Sequence, residues 1–578
     1  MPSLITKWKK GKPYLYWVRS ARVNGPSRIV EQVYLGPKER VMAQLHAQGT
    51  AAPTQAESPA LQSVQTREFG ASALFSSLAQ DLGLIALINA HVPPAPPRRR
   101  TSLSVGHYLM LAALNRAAWP KSKRAFAAWY QDTVLARLVP ASRAELSSQR
   151  FWDHMALCEP EHFAPMQRDL VHRMHERFPL GEPFLVYDTT NYDTFMQTFN
   201  SRPSLPQRGK NHPKRADLRQ ISLALVVDEE RGLPLSSRGY EGHVTDVVAL
   251  GTSLHEMGGH FLPQTVSPRL TLVLDKGNVS RDNFTALQQA HFSCLAAIPA
   301  GWGRRLSQVS RKAYQPLALP DGRRIKVYGP PTQKLAGIQG TLLVSFSPSF
   351  YRKQVRTLDL LQRKAAQQLL TLQAAIQQAV ARHRPRTEQA VKREIAPWVR
   401  HDRLKECFAC TLRLDHKKVQ EWRWQWDQRK KRAIKPHDFG KTVLLTDRRE
   451  LAPQRMVMAY RSQAQVESMF RISQSRRPGL WWPVYHWTES TLSVHALYCF
   501  VALLLIRLVL LRLQERNLSI GVDLLTERLR GMQEALVVYA NGTAQRVITE
   551  RSPEQETLFI SLDLETLARQ WGKTVLKP

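Results

Sequence analysis

Cysteine is scarce in this chain: five in 578 residues, too few for the disulfide framework that staples small secreted domains. Acidic residues are scarce too. Only 47 Asp+Glu stand against 82 Lys+Arg, a formal net charge of +35 and a pI of about 10.4. That balance favours polyanionic partners, nucleic acid first and an anionic membrane second. Long apolar runs are missing as well. The strongest, Ala496–Ile506, lies between His495 and Arg507; it is too short to span a bilayer and reads as a buried helix. The segment Met1-Pro2-Ser3-Leu4-Ile5-Thr6-Lys7-Trp8 lacks the charged-then-apolar order of a secretory signal. No internal repeat is evident. The expectation is a cytoplasmic protein with no membrane partner.

What is present supports real cores. Hydrophobic residues make up 43% of the chain and aromatics 8%, which excludes wholesale disorder. The length predicts several domains, since single cores rarely exceed roughly 250–300 residues. The positive charge is uneven: residues 301–450 hold 33 Lys+Arg and 12 Asp+Glu, a local +21. A polyanionic partner should meet that stretch.

Patterning divides the chain. Residues 1–48 alternate like short strands and carry Lys7, Lys9, Lys10 and Lys12, predicting a small basic β module. An Ala/Gln/Ser/Pro-rich linker follows over 49–65. Residues 66–160 read as helical and DNA-binding, broken by the Pro-Arg tract 93–100. From 180 to 300, continuous apolar runs (Phe184–Tyr187, Ile221–Val227, Leu270–Leu274) interleave with helical patterns, which predicts an α/β sheet domain. Residues 301–440 interrupt it. Residues 441–515 return to strand and helix, and 516–578 form a C-terminal region with a hairpin signal at Asn541-Gly542.

Three acids stand out by setting. Asp188 directly follows Phe184–Tyr187, and Asp275 directly follows Thr271–Leu274. Carboxylates at the C-terminal ends of sheet strands occupy the rim where α/β proteins place their sites. Glu467 lies beside the apolar face formed by Val466, Met469, Phe470 and Ser473 on a predicted helix. Converging carboxylates repel unless they ionise around a cation. Two Mg²⁺ ions roughly 3.5–4 Å apart, with Mn²⁺ as a substitute, would answer that and activate both oxygens of a phosphodiester displacement. Each acid taken alone also has an ordinary reading, as a turn former or a solvated helix residue.

These segments resemble the DDE transposases of bacterial insertion sequences, specifically the insertion-sequence 1634 type within the insertion-sequence 4 superfamily. The resemblance runs from about residue 180 to 515. It is carried by Tyr187-Asp188-Thr189-Thr190-Asn191-Tyr192, Asp217-Leu218-Arg219-Gln220-Ile221, Leu274-Asp275-Lys276-Gly277-Asn278, Tyr460 to Arg471 around Glu467, and Pro483-Val484-Tyr485-His486-Trp487. It implies an α/β fold with a ribonuclease-H-like catalytic core holding Asp188, Asp275 and Glu467. A mainly β insertion domain would interrupt that core, and N-terminal β and helical DNA-binding regions would precede it. The separations of the acids, 87 and 192 residues, suit such an insertion. The family signature Tyr-x₂-Arg-x₃-Glu-x₆-Lys is matched at Tyr460 and Glu467, whereas Gln463 and Gln474 stand at its Arg and Lys positions. The resemblance makes Arg461, Arg471 and Arg476 the substitutes for phosphate binding.

Basic and aromatic stretches supply further candidates. Residues 201–220 carry six Lys/Arg, among them Lys210, Lys214 and Arg215, against one acid, Asp217; the alternative is a solvated loop. Trp422, Trp424 and Trp426 form one alternating face beside Arg429-Lys430-Lys431-Arg432. They suit an unstacked base or, alternatively, a packed core. Cys407 and Cys410 are a lone pair, unspecific as a zinc site. The expectation is a DNA transposase acting on terminal inverted repeats and target DNA with Mg²⁺. The resemblance adds a cut-and-paste route, a homodimer in a synaptic complex and a nucleoid-associated location. The alternatives are a ribonuclease-H-like nuclease without strand transfer and a catalytically silent DNA-binding descendant.

Overall fold

The computed structural model describes residues 2–9, 11–22, 27–47, 60–97, 101–177, 184–196, 200, 203–209, 217–258, 270–299, 301–329, 332–335, 337–475, 479–482, 484 and 486–572. The fold is mixed α/β with several sheets. It divides into two compact units. The first comprises Met1–Glu182, Asp188–Val266 and Ala464–Pro578, the second Pro183–Tyr187 and Ser267–Gln463.

The first unit is organised around the helix Glu489–Gln514, 26 residues long. It is more than twice the length of the apolar run that signals it, because Leu492 and Val494 before that run and Leu508, Val509, Leu511 and Leu513 after it are buried too. By length and composition it could cross a membrane, as could the bent pair Gly70–Asp81 and Leu84–His91 taken as one span. Its apolar window is 94% buried within the structure, against helices such as Val105–Ala118 and Gly70–Asp81. Burial all round explains its weak amphipathicity. Arg507 and His495 are the buried polar exceptions; Arg507 Nε donates to the Arg231 and Gly232 carbonyls at 3.1 Å each. Leu504→Ala, at a fully buried position, should cost about 3 kcal/mol, read as a lower urea midpoint. Val105–Ala118 is likewise buried on nearly every side, so this helix of the 66–160 region offers no face to a DNA groove.

Two small sheets belong to the same unit. The strands Pro2–Lys9, Lys12–Arg22 and Ser27–Pro37 form an antiparallel meander. The hairpin Gln533–Tyr539/Ala544–Ile548 turns at Asn541-Gly542, where Gly542 takes φ +80°, the left-handed conformation glycine permits. A third strand, Leu61–Glu68, pairs antiparallel with Gln533–Tyr539. The predicted linker 49–65 is therefore corrected at its end. A strand begins at Leu61 because its pairing partner lies far away in sequence.

The second unit holds a sheet in the order Gln315–Ala318, Arg324–Tyr328, Ile338–Phe346, Lys441–Thr446, Ser293–Ala297, Thr271–Leu274 and Phe184–Tyr187. The last three segments pair in parallel and the others antiparallel. Phe184–Tyr187 and Thr271–Leu274 are wholly buried, as continuous apolar runs in parallel sheets should be. The sheet thus runs past the boundary predicted at 300, since the strands between 315 and 346 join it. The mainly β character expected of 301–440 is also corrected. Beyond Phe346 this stretch contains the 34-residue helix Pro348–Ala381, the helices Glu388–Ile395, Asp402–Cys407 and Gln428–Asp438, and one hairpin. Leu358, Ala365, Leu369, Leu372 and Ile376 make the long helix's buried stripe. The hairpin Phe408–Asp415/Lys418–Trp426 packs on that stripe through Val419 and Trp422.

Candidate active site

In the second unit, Tyr187 and Leu274 are partners across parallel strands. Each is followed by an acid, Asp188 and Asp275. Asp275 stands where its strand ends and opens the 3₁₀ turn Lys276–Asn278, with Asn278 N–H donating to its carbonyl at 3.0 Å. Its carboxylate is half-buried, and Oδ1 accepts from the Tyr460 hydroxyl at 3.1 Å. Tyr460 is presented by the helix Pro453–Arg461, which buries Met456, Val457 and Ala459. The Arg455 guanidinium of this helix lies 4.1 Å from the Phe184 ring centroid.

Asp188 is not at the end of its strand as the sequence predicts. The strand runs on to Thr194, because beyond Tyr187 it lies beside Arg219–Asp228. Asp188 Oδ1 accepts from the Thr189 N–H at 2.8 Å. In the first unit this part of the strand is tied to the helix Gln463–Gln474, which carries Glu467. Gln474 Nε2 donates to Thr190 Oγ1 at 2.7 Å, and the Tyr192 hydroxyl meets Ser473 Oγ at 2.5 Å. Tyr192 stacks on Trp481, centroids 4.0 Å apart. Val466, Met469, Phe470 and Ser473 are buried, and Glu467 is exposed beside them, as the helical spacing predicts. Behind the strand, burial pushes the Tyr240 phenol well above its ordinary range, with Thr189 and Asp246 as side-chain partners. It therefore remains a neutral donor.

The anchoring network escaped the sequence reading. Gln474, where the family signature has Lys, holds the helix against the strand two residues from Asp188. His495 Nε2 donates to the Trp481 carbonyl at 3.0 Å. Its Nδ1 is then the acceptor facing His486 Nε2 at 2.8 Å and the Tyr498 hydroxyl at 2.5 Å. A cluster of His, Tyr and Trp around 481–498 is the one sequence signal that could have flagged it.

The predicted DNA-binding residues fare differently. Arg471 is exposed on the Glu467 helix. Arg461 is half-buried, and its pKa is lowered by burial first and by Arg323 next, with Asp321 opposing. Lys210, Lys214, Arg215 and Arg476 lie outside the described residues. The tryptophan face is corrected. Trp422 is only 3% exposed, and Trp424 and Trp426 pack against the same core. Trp424 Nε1 donates to Gln373 Oε1 at 3.2 Å. Apolar area gains more against the helix stripe than in water, which leaves Trp422 no face for a base.

Three carboxylates are a donor set suited to a hard divalent cation. Among the described residues, however, no three His, Cys, Asp or Glu form a group that could hold a metal ion. That holds for the acids and for Cys407 and Cys410 alike.

No family model matches the chain, and no curated protein matches it. Among solved structures, the cryo-EM structure of the piggyBac transposase synaptic complex with hairpin DNA is similar at a TM-score of 0.32 and 10% identity. The match covers 88% of this chain and 82% of that one. Likeness at this level decides neither fold nor activity.

Proposed function

We propose that this chain is a DDE-type DNA transposase, which cleaves DNA at element ends and joins the freed 3′-OH to target DNA. The observation that carries the reading is the parallel register of Tyr187 and Leu274, which sets an acid directly after each of two adjacent strand segments. The sequence resemblance adds Glu467 and a ribonuclease-H-like core. Asp188, Asp275 and Glu467 would hold Mg²⁺, or Mn²⁺ in its place, which when bound supplies charge neutralisation and an activated water.

The chain's own groups orient these acids. The Tyr460 hydroxyl fixes one oxygen of Asp275 and the Thr189 N–H one oxygen of Asp188. The second oxygen of each is then turned to a defined direction, a precondition for positioning a scissile phosphate. Arg461 and Arg471 serve as phosphate contacts. The basic stretch 301–450 grips the duplex without regard to sequence. Terminal inverted repeats and target DNA are the partners, a homodimer holds two ends together, and the setting is the nucleoid in the cytoplasm.

The test uses purified full-length protein and a DNA fragment carrying the sequences that flank its gene. With Mg²⁺, 3′-OH nicks at the element boundaries and joined products are expected. Binding to that fragment should fall steeply with salt, because phosphate contacts release counterions. Nicks without joined products would favour the nuclease alternative. Binding with neither product would favour the silent DNA-binding alternative, to which Gln474, engaged with Thr190, already lends weight.

A further inference from the structure

The N-terminal sheet has two unlike faces. Leu15 and Trp17 are buried on one side, where Trp17 packs with Val64 and Ala535, and Val33, Leu35 and Val537 join them. The cross-strand register decides what stands on the other. Lys7 is opposite Tyr14, Ile5 opposite Tyr16, Lys9 opposite Lys12, and Tyr16 opposite Tyr34. Alternation along a strand therefore gathers Lys7, Lys9, Lys12, Tyr14, Tyr16 and Tyr34 on one face, where Tyr14 and Tyr16 are half-buried and Val18, 1% exposed, closes the end beyond Tyr16.

The rings form a contiguous group. Tyr34 lies 5.1 Å from Tyr16 and 6.0 Å from Tyr14 between centroids. Lys7 Nζ stands 5.2 Å from the Tyr16 centroid and donates to Gln32 Oε1 at 2.6 Å. Tyr34 is 46% exposed, and the three lysines are exposed. Carboxylates are few here, and both have a cationic partner. The sole acid in the three strands, Glu31, is in register with Arg19 on the Trp17 side and pairs with it at 2.9 Å. Glu550, whose charge bears on Tyr34, is engaged by Arg40 at 3.2 Å.

We propose that this face binds single-stranded nucleic acid, with unpaired bases stacking on the tyrosines and backbone phosphates meeting Lys7, Lys9 and Lys12. A cluster of rings beside three lysines, its one nearby carboxylate engaged by Arg40, suits flat, anionic polymers whose bases are open. Duplex DNA offers this face only phosphates, which lysines alone would serve, so the tyrosines select the unpaired strand. The proposal does not depend on the catalytic reading, since none of its residues belongs to the candidate active site.

The full chain is to be titrated against fluorescein-labelled oligo(dT) of about 12 nucleotides and against a duplex of equal length, read by anisotropy. The single strand should bind about tenfold tighter or more. Tyr34→Ser should weaken oligo(dT) binding about tenfold and leave duplex binding nearly unchanged, because stacking on an aromatic ring is lost for one base. Tyr34→Phe should retain wild-type binding. Lys7→Gln should weaken both and lower the salt slope for the single strand by about 0.7. Tyr14→Ser repeats the test if Tyr34→Ser does not fold. Equal affinity for both DNAs, or tyrosine variants that weaken both equally or neither, would overturn the proposal. So would binding to phosphatidylserine vesicles with no preference for oligo(dT) over duplex.

Discussion

Asp275→Asn is expected to reduce end cleavage by about a thousandfold or more, roughly 4 kcal/mol of barrier, with binding to the same DNA held within about twofold. Asp188→Asn should do the same. The two acids follow paired residues of parallel strands, so each amide keeps the side chain's shape and removes one negative charge. On the proposed function DNA affinity should survive, because Lys and Arg elsewhere would make the phosphate contacts. Tyr460→Phe separates orientation from charge. It removes the 3.1 Å hydrogen bond to Asp275 and leaves the carboxylate, so cleavage should fall only about tenfold, the worth of roughly one hydrogen bond. Quantified nicking on a labelled end fragment reads all three. Asp275→Asn cleaving at the wild-type rate would sink the catalytic assignment, whatever the binding data showed.

Lys123→Met should stabilise the protein by about 3 kcal/mol at pH 6. Lys123 is 9% exposed, and its Nζ has no hydrogen-bond acceptor among the described residues. It sits 4.4 Å from the Tyr498 ring centroid and 5.1 Å from that of Phe151. Burial, and then Arg116, lower its pKa from 10.5 to about 7. The sign follows from proton counts. Between pH 7 and 10.5 the unfolded chain carries the proton and the folded one does not, so stability rises with pH across that window. Below pH 7 both forms are charged and the full penalty stands, on the order of 4 kcal/mol. Methionine removes the charge and keeps the packing, at the loss of about 1 kcal/mol of cation–π attraction.

Urea midpoints at pH 6, 8 and 10 for both proteins check this. The wild type should gain stability relative to the variant as pH rises, and the gap should close by about pH 10. A variant less stable than the wild type at pH 6 would refute the unpaired-cation account. Glu68 has the opposite sign. Burial raises its carboxyl to about 7, so its contribution is present below about pH 4.5 and is lost as pH rises through 7.

How far the chain could be read from its residues differs from element to element. Phe184–Tyr187 and Thr271–Leu274 were readable as buried strands, because four apolar residues in a row have few other uses. The acids after them were readable for the same reason. That Asp188 lies within a strand was not. Thr189-Thr190-Asn191-Tyr192-Asp193-Thr194 looks like a polar loop until Arg219–Asp228 lies beside it. The tryptophans show the opposite error. Their alternation is equally good for stacking on bases and for packing on a helix, and the buried stripe from Leu358 to Ile376 settled it for packing.

By itself the sequence determined the charge, since 82 cations against 47 anions hold in any conformation, and with it the expectation of a polyanionic partner. It also determined which short runs must be buried and where the carboxylates interrupt them. Only the tertiary structure decided which strands pair. It set Leu61–Glu68 beside Gln533–Tyr539, moved the strands between 315 and 346 into the sheet, and assembled three tyrosines and three lysines on one face. The physical reason is that local pattern records a preference for burial and period, whereas partner and register are set by contacts between residues far apart in the chain.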